Sequence, residues 1–428
     1  MTQRLDRMRN RPSKIMAIMA LLLTMMSCND YSPQENLVPE WSSPAGKNSV
    51  SPNLSLDLNG MPILSWLKIE QSSVALEYAR WRGDRWSAPI IIASGNNWLV
   101  NRADFPSVVQ LNESLWAAHW LVMTDPSVFA YDVFISLSRD GGITWEPSFK
   151  PHTDGTFTEH GFVSFFTEGD DVGVVWLDGR EMKVGHGHKE MPEPKQGELE
   201  GMTIRSTKMT ADGSIFQGQI IDNLVCDCCQ TDIAQSNQGP ILVFRNRTEN
   251  ERRDIYFSRM TNGRWSESQP VAIDDWNIAG CPVNGPSVAV NGQTTAVAWF
   301  TRAKGFGEVK LALSKTGDSL FGTALEVESG DAVLGQVGLA PSQNGGFLVS
   351  WMTYTDGTEG HLKLRYFDAT GIAGPMMIAE KIDFTRKAGL PQMVLLGDLA
   401  VLSWTGGGES DKQIIVTTAE IVSTQQLQ

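Results

Sequence analysis

The chain has 428 residues, with 35 Lys+Arg against 49 Asp+Glu and a formal net charge of −14. Hydrophobic content of 41% supplies a core and excludes wholesale disorder, while the acidic balance argues against nucleic acid, whose phosphates need Lys and Arg in excess. Low charge content (20%) with 40 Gly and 14 Trp points to many short strands and turns.

The first 27 residues stand apart. Arg4, Arg7, Arg9, Arg11 and Lys14 make a basic start, and Ile15 to Met26 is an apolar stretch too short to span a bilayer. Ser27-Cys28 then places a small residue directly before a cysteine. This arrangement resembles a bacterial lipoprotein signal, with an ordinary secretory signal as the alternative. The resemblance implies removal of residues 1–27, a lipid on Cys28 and a place in the cell envelope, the outer membrane being favoured. Removal takes away five positive charges and one negative, so −14 becomes −18. Residues 28–40 read as a tether and 41–428 as one domain.

Along that domain a short apolar strand ending in an aromatic residue recurs, at Trp66, Trp120, Trp176, Phe244, Trp299, Trp351 and Trp404. The spacings are 54, 56, 68, 55, 52 and 53 residues, and the long interval contains a polar insertion from Gly185 to Gly201. Most of these strands follow one apolar segment and precede another. A fourth, outer segment often starts with Trp-Ser and a nearby Pro, as in Trp86-Ser87-Ala88-Pro89. Four strands per unit of about 50 residues is the pattern of a β-propeller blade, so the fold class is all-β with seven blades, six being the alternative. Trp41-Ser42-Ser43-Pro44 carries the outer-segment pattern with no inner strands before it. This predicts that the N-terminal strand closes the ring by pairing with the last blade, hiding an exposed edge.

Ser138-Arg139-Asp140-Gly141-Gly142-Ile143-Thr144-Trp145 fits S-x-D-x-G-x-T-W, in which the Asp gathers hydrogen bonds across a turn, Gly allows positive φ and Trp packs between sheets. Ser138, Asp140, Gly142, Thr144 and Trp145 carry the pattern, with a degenerate copy from Ser258 to Trp265. The chain thus resembles the sialidase-like family of Asp-box (BNR-repeat) propellers over about residues 41–428. The resemblance implies a face built from the connections between second and third strands and those leading into first strands. Arg180, Arg247 and Arg302 follow consecutive anchor strands at similar offsets, and three arginines fit the family's way of holding a substrate carboxylate. By position, Tyr354 is the candidate nucleophile and Asp104 the candidate acid/base, a tyrosine nucleophile being a known departure from paired carboxylates. No Glu can be assigned beside Tyr354, and the family's F/Y-R-I-P motif is missing. The alternative is that the arginines form salt bridges between blades or bind another anion.

Cys226, Cys228 and Cys229 lead into one blade and Cys281 into the next. In an oxidising compartment four cysteines most simply make two disulfides, with Cys226 or Cys228 joined to Cys281. The alternative is a metal site, copper or zinc, for which Met182, His186, His188 and Met191 offer further soft ligands. Three functions therefore compete: a glycoside hydrolase acting on a glycan or other anionic small molecule, a non-catalytic binding propeller, and metal or redox work at the cysteines. In each the protein is expected to be a monomer.

Overall fold

The computed structural model describes residues 41–125, 129–182, 201–210, 214–315, 320–357, 359–383, 389–408 and 411–422. Cys28, His186, His188 and Met191 lie outside them. The described residues form seven antiparallel sheets in chain order and no helix. Four sheets have four strands, one has five because its outer strand is split, and the second and seventh have three. The protein is a seven-bladed β-propeller.

The first strands are Ser49–Leu56, Ser107–Gln110, His160–Glu168, Asp232–Ser236, Ser287–Asn291, Val333–Pro341 and Gln392–Leu396. Residues from all seven line one central cavity of about 480 Å³. Each second strand carries its anchor aromatic, and Trp66, Trp176, Phe244, Trp299 and Trp351 are almost wholly buried. These rings pack between neighbouring sheets. Trp299 shares a cluster with Ile241 and Val243 of the preceding blade, and Trp351 one with Val309 and Leu311. Each sheet thus covers its neighbour, which is how a propeller protects its blades without a separate core.

A second device fastens blade to blade. In the first strands of blades 1, 3 and 6, a bulge puts Ser51, Phe162 and Gln336 at positive φ (54°, 53° and 57°). A bulge frees a backbone N–H from its ladder. Each freed N–H is caught by a side-chain oxygen from outside its own blade: Thr405 Oγ1 at 3.1 Å, Asp104 Oδ1 at 2.8 Å and Asn284 Oδ1 at 2.6 Å. Asp104 and Asn284 occupy equivalent places, each three residues before a first strand, in Asp-Phe-Pro-Ser-Val and Asn-Gly-Pro-Ser-Val. A Cβ at Gly161 or Gly335 would run into the clasping side chain, Asp104 or Asn284, so glycine precedes the bulged residue in both blades.

The ring closes at the expected junction but by other means. Residues 41–48 form no strand, and the last sheet holds the three strands ending at Gln413–Glu420. Trp41 instead stacks on Trp81 with centroids 3.7 Å apart and meets Trp86 edge-on. One apolar cluster joins Leu54, Leu64 and Trp66 of blade 1 to Val394, Val401 and Ile414 of blade 7. Asn48 N–H donates to the Lys412 carbonyl at 2.8 Å. Aromatic stacking holds Trp41 in place of a ladder, so the expected pairing strand is corrected to a packed plug.

The turn from Ser138 to Trp145 is held as its residue types require. Asp140 Oδ1 accepts from the N–H groups of Ile143 and Thr144 at 3.1 and 2.9 Å, and Oδ2 accepts from Thr144 Oγ1 at 2.6 Å. Gly142, at φ 86°, donates its N–H to Ser138 Oγ, and Trp145 packs edge-on to Tyr78 of blade 1. These bonds, led by Thr144, hold the Asp140 carboxyl down to about 2.

Because Trp351 is fully buried between blades, Trp351→Ala is expected to cost about 3–5 kcal/mol in urea unfolding. Ile143→Ala, at a side chain 72% exposed, should stay within about 0.5 kcal/mol of the parent.

Candidate functional site

In an antiparallel meander the start of the first strand, the end of the second and the start of the third share one edge. Asp104, Arg180, the Cys226–Cys229 segment, Arg247, Cys281, Arg302 and Tyr354 all lie at that edge of their blades. Within the face they fall into separate groups.

The first group spans blades 2 and 3. Asp104 is buried, with Oδ1 on the Phe162 N–H and Oδ2 accepting from the Tyr131 hydroxyl at 3.1 Å. The same hydroxyl lies 3.4 Å from Glu159 Oε2. Burial, aided by the Glu159 charge and only partly offset by its two donors, raises the Asp104 carboxyl to about 7. Burial and the two carboxylates push the Tyr131 phenol well above its ordinary value. Tyr131 is thus the tyrosine hydrogen-bonded to Asp104. Tyr354 lies at the end of the second strand of blade 6, with its side chain 40% exposed. Beside the buried set, Phe129 (37% exposed) meets the Tyr131 ring edge-on at 5.7 Å, and Phe157 (62% exposed) is two residues before Glu159.

Next to it lies an ion network that sequence reasoning missed. His160 Nδ1 is 3.3 Å from Asp132 Oδ1, and its Nε2 is 3.2 Å from Asp154 Oδ2 and 3.7 Å from Asp178 Oδ1. His152 stacks on His160, with ring centroids 3.9 Å apart and planes 8° from parallel. Burial opposes charge on His160, but Asp132, Asp178 and Asp154 together outweigh it and raise its basicity. Burial and the neighbouring His160 lower His152 to about 4. The basicities of the two rings are thus pushed apart. The three carboxylates offset the charge of the cluster, and two sets of its ligand atoms, from Asp132, His152 and His160 and from Asp154, His160 and Asp178, are close enough together to hold a metal ion. Arg180 belongs to it, forked onto Asp178 at 2.7 and 2.6 Å and reaching Asp154 at 3.1 Å.

Arg247 sits elsewhere, between Asp227 at 3.1 Å and Glu251 at 2.5 Å. Glu251 also holds Arg253 at 2.8 Å. Arg302 is exposed and donates to the Gly305 carbonyl at 3.2 Å. The three arginines thus share no partner among the described residues; two are already neutralised locally.

The cysteines gather as expected and pair in part. Cys228 and Cys281, 53 residues apart, form a disulfide that ties the segments leading into blades 4 and 5. Cys226 and Cys229 are both buried, with their sulfurs 2.7 Å apart, closer than two unbonded sulfurs approach. The expected bridge to Cys281 is thus made by Cys228, and the two cysteines left over lie side by side. Met182 packs on the same apolar cluster as Cys228.

No protein-family profile and no curated protein sequence matches the chain. Among solved structures, the chain is similar to an ulvan lyase, a polysaccharide lyase bound to GlcA(1-4)Rha3S, with TM-score 0.52, 10% identity, and 88% of this chain and 94% of that one covered. It also aligns with a protein of unknown function from Dyadobacter fermentans (TM-score 0.49, 15% identity, 88% and 95% covered). A sialidase from Streptococcus pneumoniae aligns at TM-score 0.44 and 11% identity, with 90% and 70% covered. At these identities the likeness concerns the fold alone.

Asp104 binds its proton more tightly in the fold, at about 7, than at its ordinary 3.8. The stability this lends is full below about pH 4 and is lost as pH rises through about 7. An amide at 104 stays neutral and repeats the Asn284 clasp. Asp104→Asn should therefore lose less unfolding free energy than the parent between about pH 5 and pH 8, measured by urea titration at both.

Proposed function

We propose that this chain is a sialidase-like propeller lipoprotein of the cell envelope, attached through Cys28, that binds and cleaves a glycan at the face between blades 2 and 3. The observation that carries the reading is the Asp104–Tyr131–Glu159 set: a carboxyl poised near neutrality, hydrogen-bonded by a tyrosine that touches a second carboxylate. Such a set can hold and move protons near neutral pH, which general acid–base chemistry requires. Asp104 is the proton donor to a leaving oxygen, and Glu159 takes the proton from Tyr131 as its oxygen becomes nucleophilic. Phe129 and Phe157 offer exposed apolar faces beside the set for a sugar ring. Arg180, already forked onto Asp178, positions the carboxylate network. A glycan ligand is also in keeping with the fold shared with the ulvan lyase.

One observation favours binding without turnover. Asp104, Tyr131 and Glu159 are each buried, and Asp104 also performs the blade-fastening role that Asn284 performs elsewhere. On this second reading the face holds a glycan or partner protein, and the acid set is a joint.

The two readings separate in assays of the purified protein against fluorogenic glycosides, including sialosides, and acidic polysaccharides. Cleavage is expected, falling 10²–10⁴-fold in both Asp104→Asn and Tyr131→Phe and little changed in Tyr354→Phe. Saturable glycan binding with no product would establish the second reading, and neither turnover nor binding would end both.

A further inference from the structure

Between blades 2 and 3, two imidazoles and a carboxylate gather at a point that the acid set does not use. They come from three places in the chain. Asp132 belongs to the third strand of blade 2 (Ala130–Ser138), His152 to the connection between the blades, and His160 opens the first strand of blade 3 (His160–Glu168). Asp132 Oδ1 lies 3.3 Å from His160 Nδ1 and 3.8 Å from His152 Nε2. The Tyr131 carbonyl, 3.3 Å from His160 Nδ1, adds a second oxygen. All three side chains are buried, His152 being only 2% exposed. His152 Nε2 nevertheless has no hydrogen-bond partner among the described residues. A buried ring nitrogen in that state is unfavourable unless something else meets it.

The far sides of both rings face one carboxylate. Asp154 Oδ1 is 3.1 Å from His152 Nδ1, and its Oδ2 is 3.2 Å from His160 Nε2. A carboxylate at the outer nitrogen favours the proton there and leaves the lone pair on the inner one, the usual support behind a metal-binding histidine. Lys150 holds Asp132 by its other oxygen, Oδ2, at 3.0 Å, which leaves Oδ1 to the rings. The neighbouring set of His160, Asp154 and Asp178 is different. Asp178 Oδ1 accepts from Arg180 Nε at 2.7 Å, and Asp154 Oδ2 accepts from the Thr156 N–H at 3.2 Å and from the Thr156 hydroxyl. Those oxygens are already used, and with Arg180 also 3.1 Å from Asp154 a cation among them would face a guanidinium.

We propose that Asp132, His152 and His160 form a binding site for a divalent transition-metal ion of the zinc class. Two imidazole nitrogens with a carboxylate and no sulfur suit Zn²⁺ better than Ca²⁺ or Cu⁺. Donors about 2.0–2.2 Å from a tetrahedral ion stand roughly 3.3–3.6 Å from one another. The His160 contact with Asp132, at 3.3 Å, meets that spacing, and the His152 contact, at 3.8 Å, meets it once the stacked ring tilts toward Asp132. The ion also has a consequence for the acid set. Tyr131 and Glu159 pair in a parallel bridge, and Asp132 and His160 follow them directly, on the opposite faces of the same two segments. An ion shared by Asp132 and His160 therefore locks the register that brings the Tyr131 hydroxyl to Glu159. The site stands whether the acid set cleaves a glycan or only joins two blades.

The test uses the full chain, stripped with a chelator, dialysed against Zn²⁺ and followed by elemental analysis, calorimetry and X-ray absorption at the zinc edge. One zinc per chain is expected, with nitrogen and oxygen neighbours only and the outer-shell scattering of imidazole. His152→Ala, checked for folding by circular dichroism, should weaken zinc binding at least about tenfold. The double change His186→Ala with His188→Ala should leave it unaltered. Where His152→Ala does not fold, the parent's edge spectrum and the double variant decide together. The proposal is overturned by a parent that retains no zinc, by sulfur in the first shell (which would put the ion at the cysteines), by parent-like affinity in folded His152→Ala, or by loss of zinc in the double variant.

Discussion

A ring of separate sheets has no shared core, so every interface between neighbouring sheets must be filled and fixed by side chains. Here the filling is done by one aromatic per second strand, each buried against the adjacent blade. Apolar burial of this kind contributes roughly 25 cal/mol per Å² but is indifferent to small slips of one sheet over another. Direction comes from the clasps, where a bulged N–H in one first strand is caught by a side-chain oxygen from outside that blade. A buried N–H left unpaired costs about 1–3 kcal/mol, so the clasps penalise any slip.

This constraint shapes the candidate site. The clasp that fastens blade 3 uses a carboxyl where the clasp that fastens blade 6 uses an amide. An amide suffices for the fastening, since Asn284 accepts the Gln336 N–H and donates its own amide to the Leu334 carbonyl. What the carboxyl adds is a proton that comes and goes near neutrality, placed against Tyr131 and Glu159. Around it, Asp132, Asp154 and Asp178 surround His160, Arg180 and Lys150, so most of the charge in that sector is internally balanced.

The blade count was legible because a bulky aromatic at a fixed strand position repeats with nearly constant spacing, and packing between sheets demands that. Closure was less so. Trp41-Ser42-Ser43-Pro44 shares its pattern with Trp86-Ser87-Ala88-Pro89, but whether Trp41 heads a strand or plugs a gap depends on Trp81 lying 3.7 Å away. For the arginines, register placed them on the right face yet says nothing of counter-charges. Asp178 lies two residues from Arg180, and its fork could have been suspected from the Asp-Gly-Arg spacing. Tyr131 carried no signal of its own. The match of Asp-Phe-Pro-Ser-Val with Asn-Gly-Pro-Ser-Val, and of His-Gly-Phe with Leu-Gly-Gln, marks both clasps, and the third strand facing the first clasp begins with Ala130-Tyr131.

The cysteines illustrate what a repeat can decide and what it cannot. Cys228 and Cys281 are 53 residues apart, one blade repeat, so they meet as neighbours across an inter-blade gap. Which of Cys226, Cys228 and Cys229 takes Cys281 is a matter of direction within a four-residue span, which spacing leaves open. The choice decides what lies at each end of the segment: half-buried Cys228 bridges to the exposed Cys281, while Cys226 and Cys229 stay buried, with Arg253 donating to Cys226 Sγ. Buried Arg245 in the same interface bonds three carbonyls and lies over the Trp276 ring at 4.8 Å, so its charge is met by carbonyl oxygens and a ring face rather than by an acid.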